Sequence, residues 1–143
     1  MKRKTIAIIS MVLVSALLLS ACGAAQQLTE YDFGADKVPS VNAVIGAERK
    51  VTGVDTGTSN GVQYKQYTYE SETPLDDLIT YTVYLRNNGW VVTKDYDLTI
   101  GVGEAQLAMD SADSGKILVM SIAFEGNYYA IRINKLDGSL TIN

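Results

Sequence analysis

Carboxylates are the side chains in this sequence best suited to do chemistry. The chain of 143 residues has no histidine and one cysteine, which removes the commonest general base, the usual Cys/His metal sites and any Ser-His-Asp triad. Asp95 and Asp97 lie two positions apart in a strand-like segment, so we expect their side chains on one face, about 7 Å apart. That separation is close to the spacing of the carboxylate pair in glycoside hydrolases. One hypothesis is therefore a carboxylate-dependent sugar hydrolase.

The same segment also argues against catalysis. Its apolar face would be formed by Trp90, Val92, Tyr96 and Leu98, which leaves the aspartates on the face that meets water. Solvated carboxylates make poor general acids, because their pKa values stay well below neutral pH. We therefore expect no enzymatic activity and keep the hydrolase as an alternative.

Two short motifs have simpler explanations than ligand binding. Residues 110–115, Asp-Ser-Ala-Asp-Ser-Gly, lack the spacing and the closing glutamate of a calcium loop, and they predict a turn between strands. Residues 101–103, Gly-Val-Gly, lack the third glycine of a dinucleotide-binding motif and also predict a turn. The sequence thus predicts neither a metal ion nor a cofactor.

Tyrosine is unusually frequent, with nine copies. Tyr67 and Tyr69 would share one face of a strand. Tyrosine suits binding surfaces, because it offers a large contact area at a small entropy cost. It is also simply common in strands, so a binding surface and a plain structural role both remain possible explanations.

The first 22 residues have the composition of a secretory signal peptide. Residues 1–4 carry three positive charges, residues 6–19 are apolar apart from Ser10 and Ser15, and residues 19–22 are Leu-Ser-Ala-Cys. The apolar run is short for a membrane span, which needs about 20 residues. The pattern predicts export from the cytoplasm.

Residues 19–22 resemble the lipobox of bacterial lipoproteins. In that family the cysteine receives a diacylglyceryl group, and a dedicated peptidase cleaves just before it. The resemblance implies cleavage after Ala21, lipidation of Cys22 and a mature chain of 122 residues at the outer side of the cell membrane. Two acyl chains hold a protein stably at a bilayer, whereas one does not.

The mature chain would be strongly acidic. Without Lys2, Arg3 and Lys4 it keeps nine basic and sixteen acidic residues, a net charge of −7. Such a chain is repelled by nucleic acid and by anionic lipid headgroups. The expected partners are the membrane, through the lipid on Cys22, and a protein or other envelope component, with no nucleic acid.

Local signals divide the mature chain into a tether over residues 23–37 and one domain over residues 38–143. The tether prediction follows from small polar residues without periodicity. Residues 49–56 and 62–70 predict two strands, and the turn-forming residues 57–61 between them predict a hairpin.

A single helix is predicted over residues 74–88. Thr73 is a suitable N-cap, and Pro74 suits the first helical position. The apolar face is formed by Leu75, Leu78, Ile79, Tyr81, Thr82 and Leu85. Gly89 followed by Trp90 predicts a Schellman ending, in which Trp90 folds back on Leu85. We interpret Trp90 as a core residue.

Strand signals continue after the helix. Ala105, Leu107 and Met109 alternate with polar or small residues, and the nearly continuous apolar run 116–124 predicts a strand covered on both faces. Gly126-Asn127 predicts a two-residue hairpin turn, residues 128–136 a strand, and Gly138 a turn into a short pairing that includes Leu140 and Ile142.

The segment from Tyr81 through Leu85 to Gly89-Trp90 resembles small extracytoplasmic lipoprotein domains of unknown function, chiefly from Gram-positive bacteria. In those domains a helix ending in Gly-Trp leads into an antiparallel sheet. The expected fold class is α+β: a hairpin, one helix and a meander of four to five antiparallel strands, with the helix packed on one face. The expected function is non-catalytic binding at the cell surface. The alternatives are the hydrolase, acting on envelope sugars, and a structural subunit of an envelope complex.

Overall fold

An antiparallel sheet of six strands organises the fold. The computed structural model describes residues 28–95 and 102–141. The elements in chain order are β1 (Glu30–Phe33), β2 (Asp36–Pro39), α1 (Val41–Ile45), β3 (Lys50–Ser59), β4 (Val62–Glu70), α2 (Pro74–Asn87), β5 (Val91–Lys94), β6 (Val102–Asp110), β7 (Lys116–Glu125) and β8 (Tyr128–Asp137). Strands β1 and β2 form a separate hairpin, and the others lie in the order β3-β4-β8-β7-β6-β5. The predicted α+β class is confirmed.

Several predictions concern residues outside the described ranges. These are the signal peptide, Cys22 and the first part of the tether, together with Tyr96, Asp97, Leu98, Gly101 and Ile142.

The two predicted hairpins form where turn residues interrupt the strand pattern. Strands β3 and β4 pair from Lys50 with Glu70 to Ser59 with Val62. Their turn is therefore shorter than the predicted 57–61, because residues 57–59 continue the strand. The turn of Gly126 and Asn127 joins β7 to β8 as predicted.

Helix α2 ends as its sequence predicts. Gly89 has a φ of 92°, a left-handed conformation that costs glycine little because it has no Cβ. The Trp90 N–H donates to the Leu85 carbonyl at 3.1 Å. This is the 6→1 hydrogen bond of a Schellman motif, which joins residues five positions apart. At the other end Thr73 occupies the N-cap position, but its side chain makes no capping bond. The Ser71 hydroxyl instead accepts a bond from the Thr73 N–H at 3.0 Å.

One face of the sheet packs against α2. Within the helix Leu78, Tyr81, Thr82 and Leu85 are buried, whereas Ile79 is exposed, so the predicted apolar face is too wide at Ile79. We call the sheet face that meets α2 the inner face. Its buried side chains are Tyr67, Tyr69, Leu107, Leu118, Met120, Ile122, Phe124, Tyr129, Ile131 and Ile133.

The N-terminal boundary of the folded part was predicted wrongly. The sequence predicts a tether over residues 23–37, but residues 30–37 form most of the β1–β2 hairpin, and Tyr31 and Phe33 are buried in the core. The physical reason is alternation: these two aromatic residues face inward while Glu30 and Asp32 face water. The hairpin and α1 cover the part of the inner face next to α2.

Three details of the second half also differ from prediction. Gly103 lies within β6 and not in a turn, and residues 138–141 form no strand. Strand β7 is not covered on both faces, because Leu118, Met120, Ile122 and Phe124 are buried while Ala123 is exposed. The apolar run therefore belongs to a sheet with one packed face and one open face.

Among the residues that the structure describes, no helix has the length and apolar character needed to cross a bilayer.

Candidate functional site

The charged groups on the inner face are used to hold the fold together. Arg49 donates from Nε to Oδ2 of Asp77 at 2.7 Å and from Nη2 to Oδ1 at 2.8 Å. Asp77 also accepts bonds from the hydroxyls of Ser71 at 2.7 Å and Tyr129 at 3.3 Å. Burial would raise the pKa of Asp77, but the bonds from Arg49 and Ser71 outweigh it and hold the pKa below its usual range. This cluster attaches α2 to β8, to the residue before β3 and to the residue after β4.

A second charged cluster attaches the N-terminal hairpin. Lys135 contacts Asp36 at 2.8 Å, pairs with Asp113, and donates to the Phe33 carbonyl at 3.2 Å. The Ser111 hydroxyl donates to Asp36 at 2.6 Å. Burial opposes the ionisation of Asp36, yet the bonds from Lys135 and Ser111 keep its pKa below the usual range. The residues of the rejected calcium loop, 110–115, thus contribute to an ion-pair cluster.

The tyrosines predicted to share a strand face belong to the core. Tyr67 and Tyr69 are 7% and 0% exposed, so the hypothesis that these two form a binding surface is wrong. Tyr31 stacks on Tyr67 with ring centroids 4.6 Å apart, and its hydroxyl lies 2.6 Å from that of Tyr69. In the described ranges every buried side-chain nitrogen or oxygen has a hydrogen-bond partner. Among the residues that the structure describes, the inner face therefore has no unpaired buried side-chain polar group that could bind a ligand.

The opposite, open face of the sheet has a different composition. One row of cross-strand neighbours runs from Thr68 on β4 through Ala130 on β8 and Ala123 on β7 to Glu104 on β6. Three of these four side chains are small, whereas alternation places most of the large apolar residues of β7 and β8 on the inner face. The row forms the floor of a shallow depression, which we call the trough.

Larger side chains border the trough, which has a volume of about 520 Å³. Tyr128 and Glu125 flank the β7–β8 turn at one side, and the Tyr128 side chain is 50% exposed. Lys94 and Asp95 lie at the β5 end, where Lys94 contacts Glu104 at 2.6 Å. The charged residues of the trough are therefore three carboxylates and one ammonium group.

Arg132 is the cation on the neighbouring row of the open face. Its guanidinium lies 4.1 Å from the centre of the Tyr64 ring. It also donates to the amide oxygens of Asn134 at 3.3 Å and Gln66 at 3.4 Å. These contacts direct Arg132 away from the carboxylates of the trough.

Of the predicted carboxylate pair, Asp95 and Asp97, only Asp95 lies within the described residues. Asp95 lines the trough just beyond the end of β5, and Asp97 lies outside the described residues. The register of β5 shifts between Val92 and Lys94, so the simple alternation that placed both aspartates on one face does not hold through Asp95.

The alanine floor of the trough carries no signal in the sequence taken alone. Ala123 and Ala130 are seven positions apart, and only the register of β7 against β8 makes them neighbours. No protein-family model, curated protein or solved structure matches this chain, so the function of the trough has to be argued from its own geometry and charge.

Proposed function

We propose that this protein is a lipid-anchored, extracytoplasmic binding domain without catalytic activity, and that its open sheet face contacts a protein partner. The observation that carries the proposal is the trough: a recess of about 520 Å³ with an alanine floor on a face that no described element covers. A two-layer fold of this kind normally needs only one apolar sheet face for its core, so the second face is free to evolve contacts.

The anchor is supported by the lipobox-like residues 19–22 and by the charge pattern before them. Only a few residues separate Cys22 from Leu28, where the described part begins. A lipid on Cys22 would therefore hold the domain close to the membrane, in reach of partners at the cell surface. The domain would need no hydrophobic surface of its own for attachment.

Site-specific photo-crosslinking in cells tests the binding surface. A photoreactive amino acid replaces Tyr128 beside the trough or, as the control, Val83 on the outer side of α2. The two positions are matched, being 50% and 51% exposed. We expect crosslinked protein adducts from position 128 and few from position 83. Adducts only from position 83, or from neither, would contradict the proposal.

Replacement of Cys22 tests the anchor separately. In Cys22→Ser the thioether to the lipid cannot form, so we expect the protein to leave the membrane fraction. Its urea denaturation midpoint, compared with that of the unlipidated wild-type domain, should not change. Fractionation with and without high salt checks the first point, and continued membrane association of the variant would disprove the lipoprotein assignment.

A further inference from the structure

We infer that the occupant of the trough is a polypeptide segment that carries a lysine or arginine beside an apolar residue. This inference rests on the proposed function, because it names the chemistry of the partner for the same surface. It follows from three properties of the trough: its floor, its charged residues and the ring at its side.

The floor suits an aliphatic stem. Ala123 is exposed and Ala130 half-buried, and each presents only a methyl group between rows of longer side chains. An aliphatic side chain, or the methylene stem of a lysine or arginine, can lie along these methyl groups and lose its contact with water. A bulky polar group would gain little binding free energy from contact with these methyl groups.

The charged residues of the trough favour a cationic group in the occupant. Glu125 lines the trough, and none of the described residues forms an ion pair or side-chain hydrogen bond with its carboxylate. Glu104 is already paired with Lys94, so Glu125 is the carboxylate most able to accept a new cation. Tyr128, next to it across the turn, is 50% exposed, and an ammonium or guanidinium group can also rest against its ring.

The net charge disfavours other occupants. From residue 23 onwards the chain has a net charge of −7, so anionic headgroups and nucleic acid are repelled. A second copy placed face to face would bring its own Glu125 and Glu104 towards the same carboxylates. A basic segment of a different protein is attracted by the whole domain as well as by the trough.

Three capped peptides test the inference on the soluble Cys22→Ser protein. The probe is acetyl-Lys-Leu-Lys-amide, and the controls are acetyl-Glu-Leu-Glu-amide, with reversed charge, and acetyl-Lys-Ser-Lys-amide, without the apolar side chain. NMR of alanine methyl groups reports the site, with Ala123 and Ala130 in the trough and Ala43 on α1 as the reference. Peptide concentrations reach about 5 mM, which detects binding with a dissociation constant as weak as about 1 mM.

We expect the Lys-Leu-Lys peptide to shift the methyl signals of Ala123 and Ala130 but not that of Ala43, and both controls to bind at least several-fold more weakly. In Glu125→Gln the affinity for the probe should fall about two- to five-fold, as expected for one partly exposed charge pair, and the Asp76→Asn control should bind normally.

The failures are distinguishable. Equal or stronger binding of Glu-Leu-Glu in the trough would overturn the inferred charge and leave the open face as a binding surface. No shift at Ala123 and Ala130 with any peptide would overturn the inferred occupant, and the crosslinks from position 128 would then decide whether the proposed function also fails. Concentration-dependent dimerisation through the trough would replace the basic segment with a second copy.

Discussion

Ile122 and Ala123 are neighbours on β7, yet they belong to the two different faces of the sheet. Ile122 is 0% exposed in the inner core, whereas Ala123 is exposed on the floor of the trough. Most buried inner-face residues are aromatic or long aliphatic, and each buried side-chain nitrogen or oxygen in the described ranges has a hydrogen-bond partner. Open-face residues in the trough are small or charged, apart from Tyr128 at its border. The comparison suggests that stability is concentrated on one face and that the other is free to serve binding.

The largest loss of stability is expected at the junction of helix and sheet. Trp90 follows the Schellman ending of α2, precedes β5 and is 5% exposed. Trp90→Ala should lower the free energy of unfolding by about 3–5 kcal/mol, because it removes a large buried aromatic side chain. Urea denaturation measures this, with Val91→Ala on the exposed side of β5 as the control. A nearly neutral Trp90→Ala would mean that the inner face is not where stability is concentrated.

The next largest effect is expected at the buried ion pair. Asp77→Asn should cost about 2–3 kcal/mol near pH 7, less than the 3–5 kcal/mol of a fully buried pair, because the Arg49 side chain is 26% exposed. Asp76→Asn, next to it on the exposed side of α2, should cost far less.

The pH dependence of stability sharpens this prediction. The pKa of Asp77 is lower in the folded protein than in the unfolded chain, so its contribution is present above about pH 4 and is lost as the pH falls through the folded value. Wild type should therefore lose more stability than Asp77→Asn between about pH 5 and pH 2. Parallel acid-denaturation curves for the two proteins would contradict a stabilising role for the ionised carboxylate.

A moderate effect is expected where Gly103 on β6 lies beside the Phe124 ring of β7. A Cβ added at Gly103 would collide with the Phe124 ring, where it would lie 3.0 Å from Cζ. Gly103→Ala should cost about 1–3 kcal/mol, because the ring has to leave its position in the core. Gly53→Ala is the control, since its Cβ would meet Thr68 at an ordinary 3.6 Å. Equal urea midpoints for the two variants would show that the Phe124 ring adjusts freely.

Features of the fold that depend on residues adjacent in the chain are predicted well from the sequence. The end of α2 at Gly89-Trp90 and the turn at Gly126-Asn127 depend on residues that are adjacent in the chain, and both are confirmed. The ion pair of Arg49 with Asp77 joins residues 28 positions apart and has no local signature. The β1–β2 hairpin does have a local signature, because Tyr31 and Phe33 alternate with polar residues. Its strands have only four residues each, which is too short for this alternation to be recognised among the polar residues around it.

The smallest effect on stability is expected on the open face. Ala123→Arg places a long side chain in the trough, where it can extend into water, so the free energy of unfolding should change by no more than about 0.5 kcal/mol. The same change removes the Ala123 methyl group, so Ala130 is the remaining NMR reporter in the trough. The Lys-Leu-Lys peptide should no longer shift the Ala130 methyl signal, and crosslinks from position 128 should be lost, because the arginine fills the floor and adds a positive charge beside Glu125. Ala43→Arg on α1, also exposed, should leave both readouts unchanged. A loss of more than about 2 kcal/mol in Ala123→Arg would instead show that this face is packed in the folded protein, and the contrast between a stabilising face and a binding face would be wrong.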